Sequence, residues 1–475
     1  MVLTPLFGFW LASSLAAYQN ASQWLALVVG LLLFPLVPVG WELFHVFRRS
    51  KQPAAKKEIL TRLDRLVLRT LIINGLFLIC MMWFGRATAF RALAVRGDWM
   101  LDGHDGAIAA TVRGWMLGFA DRFDRRRGDD DDRYGKSDRA PDPANIKPRE
   151  DIREPTPKIG TTPPKDTAGW PLSDEADPKV SGMPESARAS IDTVGAYLKE
   201  QFPDKKQRVK AIHDFVVLRL TYDDATLEKI LAHDYSALPS QQAEPVFAAR
   251  TGVCEGYSRL VIAIGKAAGV EIAFVSGYIR DPSRRLTGVD DPIKASLQGV
   301  LHAWNAVLID DEWLLLDATW DDPSGSTNPI TSTYLFTPPR LFAYDHHPED
   351  PAWQLVMKPI SLGDFTRQPF MSPSIGRFGL VLESPTRSQI TVHNEVEIIL
   401  DNPYGAEVSA YATRDVADTK GTQIRCTVTP RPSAHTAVTC ELPDGEFKVA
   451  MFAAPATTSL RFSLEYIGAV LVNSH

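Results

Sequence analysis

Cysteine is scarce in this chain, with four in 475 residues, at positions 80, 254, 426 and 440. That is too few for a disulfide scaffold, and no paired C-x-x-C spacing offers a zinc site. An excess of basic charge is missing as well. The formal net charge is −6 and no basic stripe is interleaved with aromatics, which sets nucleic acid aside as a partner. No charged residue precedes Glu42, so a cleaved secretory signal over residues 1–18 would have no positive n-region, and a retained anchor is the better reading. The acidic run Asp129–Asp132 lacks the spaced ligands and terminal Glu of a calcium loop and reads as solvated charge.

The residues that are present are strongly segmented. The length suits about three domains at roughly 150 residues each. Val2 to Tyr18, Trp24 to Trp41 and Leu66 to Phe84 read as three transmembrane helices, each about long enough for a bilayer core of roughly 30 Å. Trp24, Trp41 and Trp83 sit at span ends, as interfacial aromatics do, and Arg69 can snorkel toward the headgroups. The loop between spans two and three carries Arg48, Arg49, Lys51, Lys56, Lys57, Arg62 and Arg65, against Arg86, Arg91 and Arg96 after span three. Seven against three puts that loop in the cytoplasm and everything C-terminal on the extracytoplasmic side. Ile108, Val112, Trp115, Phe119 and Phe123 then recur at helical spacing, for a helix lying on the membrane surface or packed on another helix. Residues 1–123 are thus a membrane anchor with the lipid bilayer as partner. Residues 124–182, rich in Pro, Asp, Lys and Thr, read as an extended, disordered linker.

Folding resumes at 183 with two amphipathic helical patterns, "SARASIDTVGAYLKEQF" and "KKQRVKAIHDFVVLRL". His213 in the second has no spaced donor and reads as a packed helix histidine. In "RTGVCEGYSRLVIAIGKAAG", Tyr257, Val261, Ile264 and Ala268 form one buried helical face, so Cys254 opens the helix and Gly269 stops it. Free N–H groups in a first turn and the helix dipole favour a thiolate, while Glu255 works against it. Gly252 and Gly256 remove bulk on either side and would let a substrate backbone approach. A cysteine in such a place is more often inert packing than a nucleophile.

Downstream, "LHAWNAVLIDDEWLLLDATWDDP" alternates like a β-hairpin. With Asp310-Asp311 as a two-residue turn, Ile309 pairs with Glu312 and Asp317 lies opposite Trp304. His302 is then the diagonal neighbour of Asp317 on the same face, roughly 7–8 Å away and within side-chain reach. A thiolate, an imidazole that takes and returns a proton, and an acid that orients the ring are the parts needed to attack an amide carbonyl.

These segments, with "SGYI" and "YLFTPPRLFAYDHHPEDPAWQL", resemble the transglutaminase-like superfamily, and within it the kyphoscoliosis-peptidase branch. The resemblance covers about 183–354. It implies a papain-like α+β core with a helical lobe against a sheet, Cys254 as nucleophile, His302 as general base and Asp317 as orienting acid. It also implies Trp304 as a cleft-wall residue, a protein or peptide substrate, and no cofactor. For the oxyanion, the Cys254 backbone N–H is a candidate and Tyr222 a weaker one. The insertion "RDPSRRLTGVDDPIKASLQG" is expected as a loop beside the cleft. His346 and His347 lack a spaced third ligand and are not read as a metal site.

From about 376 short alternating runs separated by Pro, Gly, Asn and Asp indicate a β-sandwich, immunoglobulin-like in its spacing, that binds or braces rather than catalyses. Cys426 and Cys440, in neighbouring runs, are either a disulfide suited to an oxidising compartment or two buried thiols. The organisation expected is therefore multidomain: anchor 1–123, linker 124–182, transglutaminase-like domain 183–365 and sandwich 366–475. The activity expected is a membrane-tethered peptidase, amidase or transglutaminase; the alternative is a non-catalytic envelope scaffold binding peptide or wall polymer.

Overall fold

The computed structural model describes residues 3–18, 23–51, 60–85, 89, 92–93, 96–101, 107–124, 169–232, 234–280, 302–322, 330–357, 359–360, 362–388, 390–414, 423–456 and 464–475. Residues 125–168 of the expected linker and 281–299 of the expected cleft loop lie outside the described residues. The chain forms two compact units, one of N-terminal helices together with Leu362–Arg367, the other holding the rest from Gly169 onward.

In the first unit, 24–50 (27 residues) and 62–83 (22 residues) are helical stretches long and apolar enough to cross a membrane. The 16-residue helix Leu3–Tyr18 is shorter, about 24 Å at 1.5 Å per residue, so the expectation of three spans is met in length by two. Its Leu11, Ser13 and Ser14 are buried against neighbouring helices. The 24–50 stretch is interrupted at Phe34 (φ −156°, ψ 123°), ahead of Pro35, which has no N–H to continue the ladder. Arg69, expected to snorkel, instead bonds Glu42, which also accepts from Arg65 Nη2 at 2.7 Å. Two cations on one buried carboxylate tie the two long helices together. The helix Ala107–Asp124 leaves Ile108, Val112, Trp115 and Phe119 exposed along one apolar face.

In the second unit a five-stranded sheet has the order β6-β5-β4-β3-β7, made of β3 (Glu271–Ile279), β4 (His302–Ile309), β5 (Glu312–Leu316), β6 (Leu335–Thr337) and β7 (His346–Pro348). Its β4–β5 hairpin has the expected register, Ile309 opposite Glu312. Asp310 and Asp311 both take positive φ, 49° and 63°, as a two-residue turn that matches strand twist requires. Helices cover one face. Ile191–Gln201, Lys205–Arg219 and Cys254–Ala267 bury Leu198, Ile212, Val216, Leu260 and Ile264 against Val307, Leu314 and Leu316. On the other face Val275, Trp304, Ala306 and Leu315 pack with Phe342 and Trp353. Gly195 is required at the helix crossing, since a Cβ there would lie 2.3 Å from that of Ala267.

The C-terminal region is mostly β. One sheet orders β10 (Ile390–Val392), β17 (Glu465–Ser474), β16 (Gly445–Ala454), β12 (Glu407–Arg414) and β13 (Ile424–Arg425), with β8 (Phe370–Met371) also on β17. The other orders β14 (Thr427–Arg431), β15 (His435–Glu441), β11 (Glu395–Asp401) and β9 (Val381–Ser384). Inward residues of both, such as Val396, Ile398, Val438, Val449 and Val470, share one core. Cys426 and Cys440 are joined as a disulfide, with Cα atoms 4.4 Å apart.

Two expected boundaries shift. The linker does not run to 182, because Trp170 is buried in the C-terminal core and its indole donates to the Thr333 carbonyl at 3.1 Å, while Asp174 pairs with Arg377 at 2.9 Å. Nor are 183–365 and 366–475 separate bodies, since Trp170 and Leu341 belong to the same core as the strands beyond 366.

His213 is the packed helix histidine expected, and it is held more tightly than a packing role needs. Its ring lies between Asp214 Oδ1 and Asp321 Oδ2, each at 3.1 Å, and so fastens the helix Lys205–Arg219 to the segment after β5. Burial opposes charge on this ring, but the two carboxylates outweigh it and raise the group to about 9. Because the folded value lies above the unfolded one, the stabilisation is complete below about pH 6.5 and is lost as pH rises through about 9. The variant His213→Gln should therefore be about 3–5 kcal/mol less stable at neutral pH, the cost of breaking a buried pair. Its thermal midpoint should approach that of the unmodified protein toward pH 9; parallel midpoint curves across that range would contradict the assignment.

Candidate functional site

Cys254 is the first residue of its helix, and the preceding Val253 provides no side-chain cap, so the first-turn N–H groups are not taken up from that position. The turn is set from below by Gln241, whose Oε1 accepts from Val253 N at 3.0 Å. Glu255, expected to oppose a thiolate, is drawn aside into a 2.7 Å ion pair with Arg259 one turn on. The other helix end is closed by Arg208, which donates to the Ala268 carbonyl at 3.0 Å.

The helix meets β4 through two side chains. Ser258 donates to the Trp304 carbonyl at 3.0 Å, and Asn305 Nδ2 donates to Ser258 Oγ at 2.9 Å and to the Ala273 carbonyl at 3.2 Å. The Asn of "HAWN" is thus a clamp between helix and sheet, which sets the thiol beside the start of β4. There the His302 ring is near enough to the Cys254 thiol to feel its charge. Its Nε2 lies 2.6 Å from Asp317 Oδ2, so that bond leaves Nδ1 free of the carboxylate. Cys254, His302 and Asp317, far apart in sequence, are therefore brought together in that order.

The three groups are buried, with Cys254 8% and Asp317 1% exposed. Burial alone would raise the Asp317 carboxyl; His302 and His346 outweigh it and hold it well below the usual range. Burial likewise opposes the imidazolium of His302, but Asp317 and then Cys254 push it up to about 10. Asp317 Oδ1 accepts from the backbone N–H of Thr319 at 2.8 Å, so the turn after β5 fixes the carboxylate plane. Such an arrangement can hold a thiolate and an imidazolium side by side and pass a proton between sulfur and a leaving group.

Several sequence-based assignments change. Gly252 and Gly256 do not leave room for a substrate. A Cβ at Gly256 would lie 2.6 Å from Gln241 Oε1 and 2.9 Å from Val246, so the glycine is needed to seat the helix on its neighbours. Gly252 sits in β2 (Thr251–Gly252), paired in parallel with Tyr222 of β1 (Thr221–Tyr222), and a Cβ there would meet the same two side chains at 3.3 Å. Tyr222 is half-buried, with its ring 6.2 Å from that of Tyr257. Trp304 is 1% exposed and lies beneath His302, ring centroids 6.1 Å apart; it is a floor of the site and not a solvent-facing wall. Half-buried Trp320, 5.7 Å from the His302 ring, is the aromatic at the rim. It ends the "DATW" string, and its spacing from Asp317 was the available signal.

His346 is a site residue that sequence reasoning missed. Its Nε2 lies 3.2 Å from Asp317 Oδ2, and its Nδ1 lies 2.6 Å from Asp345 Oδ1. Donor atoms of His302, Asp317 and His346 come within 4.8 Å of one another, the spacing of a candidate cation site. The 2.6 Å contact between His302 and Asp317 is, however, the length of a charge-assisted hydrogen bond, and the three groups satisfy one another without a metal. His347 instead faces the Ile360 carbonyl at 3.2 Å.

Residues 193–318 match the family model of the transglutaminase-like superfamily. The chain is 28% identical over 229 residues to human kyphoscoliosis peptidase, covering 46% of this chain and 32% of that protein. With the mouse protein of the same name the identity is 30% over 236 residues, 46% of this chain and 33% of the relative. The chain thus spans about a third of the length of these curated relatives. A solved structure titled as a TGase aligns at 18% identity and a TM-score of 0.22, over 32% of this chain and 37% of its own, a likeness too slight to bear on the fold. The matched region, which contains the thiol, the imidazole and the carboxylate, belongs to the transglutaminase-like superfamily, in its kyphoscoliosis-peptidase-like branch.

Proposed function

We propose that this protein is a membrane-tethered thiol enzyme acting on peptide or carboxamide bonds, with Cys254 as nucleophile, His302 as acid and base, and Asp317 as orienting acid. The observation that carries this reading is the buried His302 ring bonded to Asp317 at 2.6 Å, with the Cys254 thiol of the helix start close enough to act on the same ring. The thiolate adds to the carbonyl carbon. The imidazolium then gives its proton to the departing nitrogen as the C–N bond breaks, leaving an acyl-thioester. His302 next takes a proton from the acceptor, which attacks the thioester and returns the sulfur to its starting state. Water as acceptor gives hydrolysis and a primary amine gives transamidation; the same three side chains serve both. The Cys254 N–H, at a first turn with no side-chain cap, is the oxyanion donor in this scheme.

The tether consists of the two long apolar helices. Seven basic residues in the loop between them and the helix ends that flank it (Lys51, Lys56 and Lys57 in the loop; Arg48, Arg49, Arg62 and Arg65 beside it), against Arg86, Arg91 and Arg96 after the second helix, favour the loop in the cytoplasm and the enzyme on the far side. This orientation does not depend on the short first helix, because the last span alone sets the side on which the C-terminal residues lie. The Cys426–Cys440 disulfide agrees with an oxidising compartment. The peptidase name of the human and mouse relatives agrees with an amide substrate. A binding module without turnover is the second reading, and the near-enclosure of Cys254 is the observation that favours it.

Incubating the full chain with an amide library, with and without a primary amine, separates the readings. Turnover should fall by about 10³-fold or more in Cys254→Ala and by about 10³–10⁴-fold in Asp317→Asn. No turnover by the unmodified protein, or equal turnover by Cys254→Ala, would leave the binding module. For the orientation, alkaline phosphatase fused after His475 should be active in cells, and Cys426 and Cys440 should resist alkylation until reduced. An inactive fusion with both thiols free would place the enzyme in the cytoplasm instead.

A further inference from the structure

The chain of hydrogen bonds behind His302 does not end at Asp317. His346 Nε2 reaches the same Oδ2 at 3.2 Å, His346 Nδ1 faces Asp345 Oδ1 at 2.6 Å, and the Tyr334 hydroxyl donates to Asp345 Oδ2 at 2.6 Å. All these residues are buried. The His346 ring is hemmed in by Phe342 at 4.2 Å, Trp320 at 4.5 Å, Trp304 at 5.1 Å, Tyr334 at 5.4 Å and His302 at 5.5 Å between centroids. It has no room to turn away.

Proton placement on this ring is dictated by its neighbours. Ionised Asp317 can only accept at Oδ2, and a lone pair on His346 Nε2 aimed at it would be repulsive. Nε2 therefore carries a hydrogen and donates to Asp317.

Resting on the thiol–imidazole reading above, we propose that His346, oriented by Asp345, is a positioning residue whose Nε2–H holds the Asp317 carboxylate in place for His302. With Thr319 N on Oδ1 and two imidazoles on Oδ2, the carboxylate cannot rotate, and the reacting ring is aimed by a relay that extends to Tyr334. His346 touches neither sulfur nor substrate; it acts through Asp317.

The test is the rate at which iodoacetamide labels Cys254 in the full-length protein, read by mass spectrometry of the Cys254 peptide from pH 5 to 10. It compares the unmodified chain with H346F, H346Q and H302A. H346F keeps ring bulk without a donor, while the amide nitrogen of H346Q stands where Nε2 does. In H346F, labelling at neutral pH should fall about tenfold. H346Q should recover most of the labelling rate. Unchanged labelling in H346F beside slowed labelling in H302A would overturn the proposal and leave the thiol–imidazole reading standing. Equal loss in H346F and H346Q, with thermal midpoints near that of the unmodified chain, would assign His346 to packing and also overturn it. Labelling of H302A as fast as the unmodified protein would remove the thiol–imidazole reading, and this proposal with it.

Discussion

The ionised carboxylate of Asp317, 1% exposed, is the constraint around which the site is organised. An unpaired charge at that depth would cost several kcal/mol. It is offset by donors from three places: the turn immediately after it, the start of β4, and β7 at one edge of the sheet. Each donor is positioned by a different part of the backbone, so the carboxylate is satisfied only when the whole sheet has assembled. Correct aim of the His302 ring is thereby a consequence of complete folding.

The same solution appears four residues later. Asp321 is buried between His213, the Thr331 hydroxyl at 2.7 Å and the Tyr334 N–H. The segment 317–322 thus holds two buried acids, each against a histidine from another element, one at the site and one fastening a core helix. Tyr334 links them, with its backbone on Asp321 and its hydroxyl on Asp345. A short loop so heavily tied has little freedom to move the imidazole relative to the thiol. In the N-terminal unit the logic recurs with the signs exchanged, where Glu42 is shared by Arg65 and Arg69 between two long apolar helices.

Much of this was legible along the chain. The β4–β5 register came from a two-residue turn and strand periodicity, and it placed His302 and Asp317 on one face. The start of the Cys254 helix came from the spacing of Tyr257, Val261, Ile264 and Ala268, all of which are buried. The roles of Gly252, Gly256 and Trp304 were misread, because small or aromatic residues beside a reactive thiol suggest substrate contact, and the packing partners Gln241 and Val246 are not adjacent in any local pattern.

Local periodicity and charge counting by themselves determined the apolar helices, the helix opened by Cys254, the hairpin and the alternating strands of the C-terminal region, because each depends on neighbours within a few residues. Tertiary structure alone decided that Trp170 belongs to the C-terminal core, that Arg69 pairs with Glu42, and that His346 stands behind Asp317. Those partnerships join residues 27 to more than 150 positions apart, or strands separated by two others in one sheet. No periodicity encodes them: the hydrogen bonds and burial that select them exist only after the chain has closed.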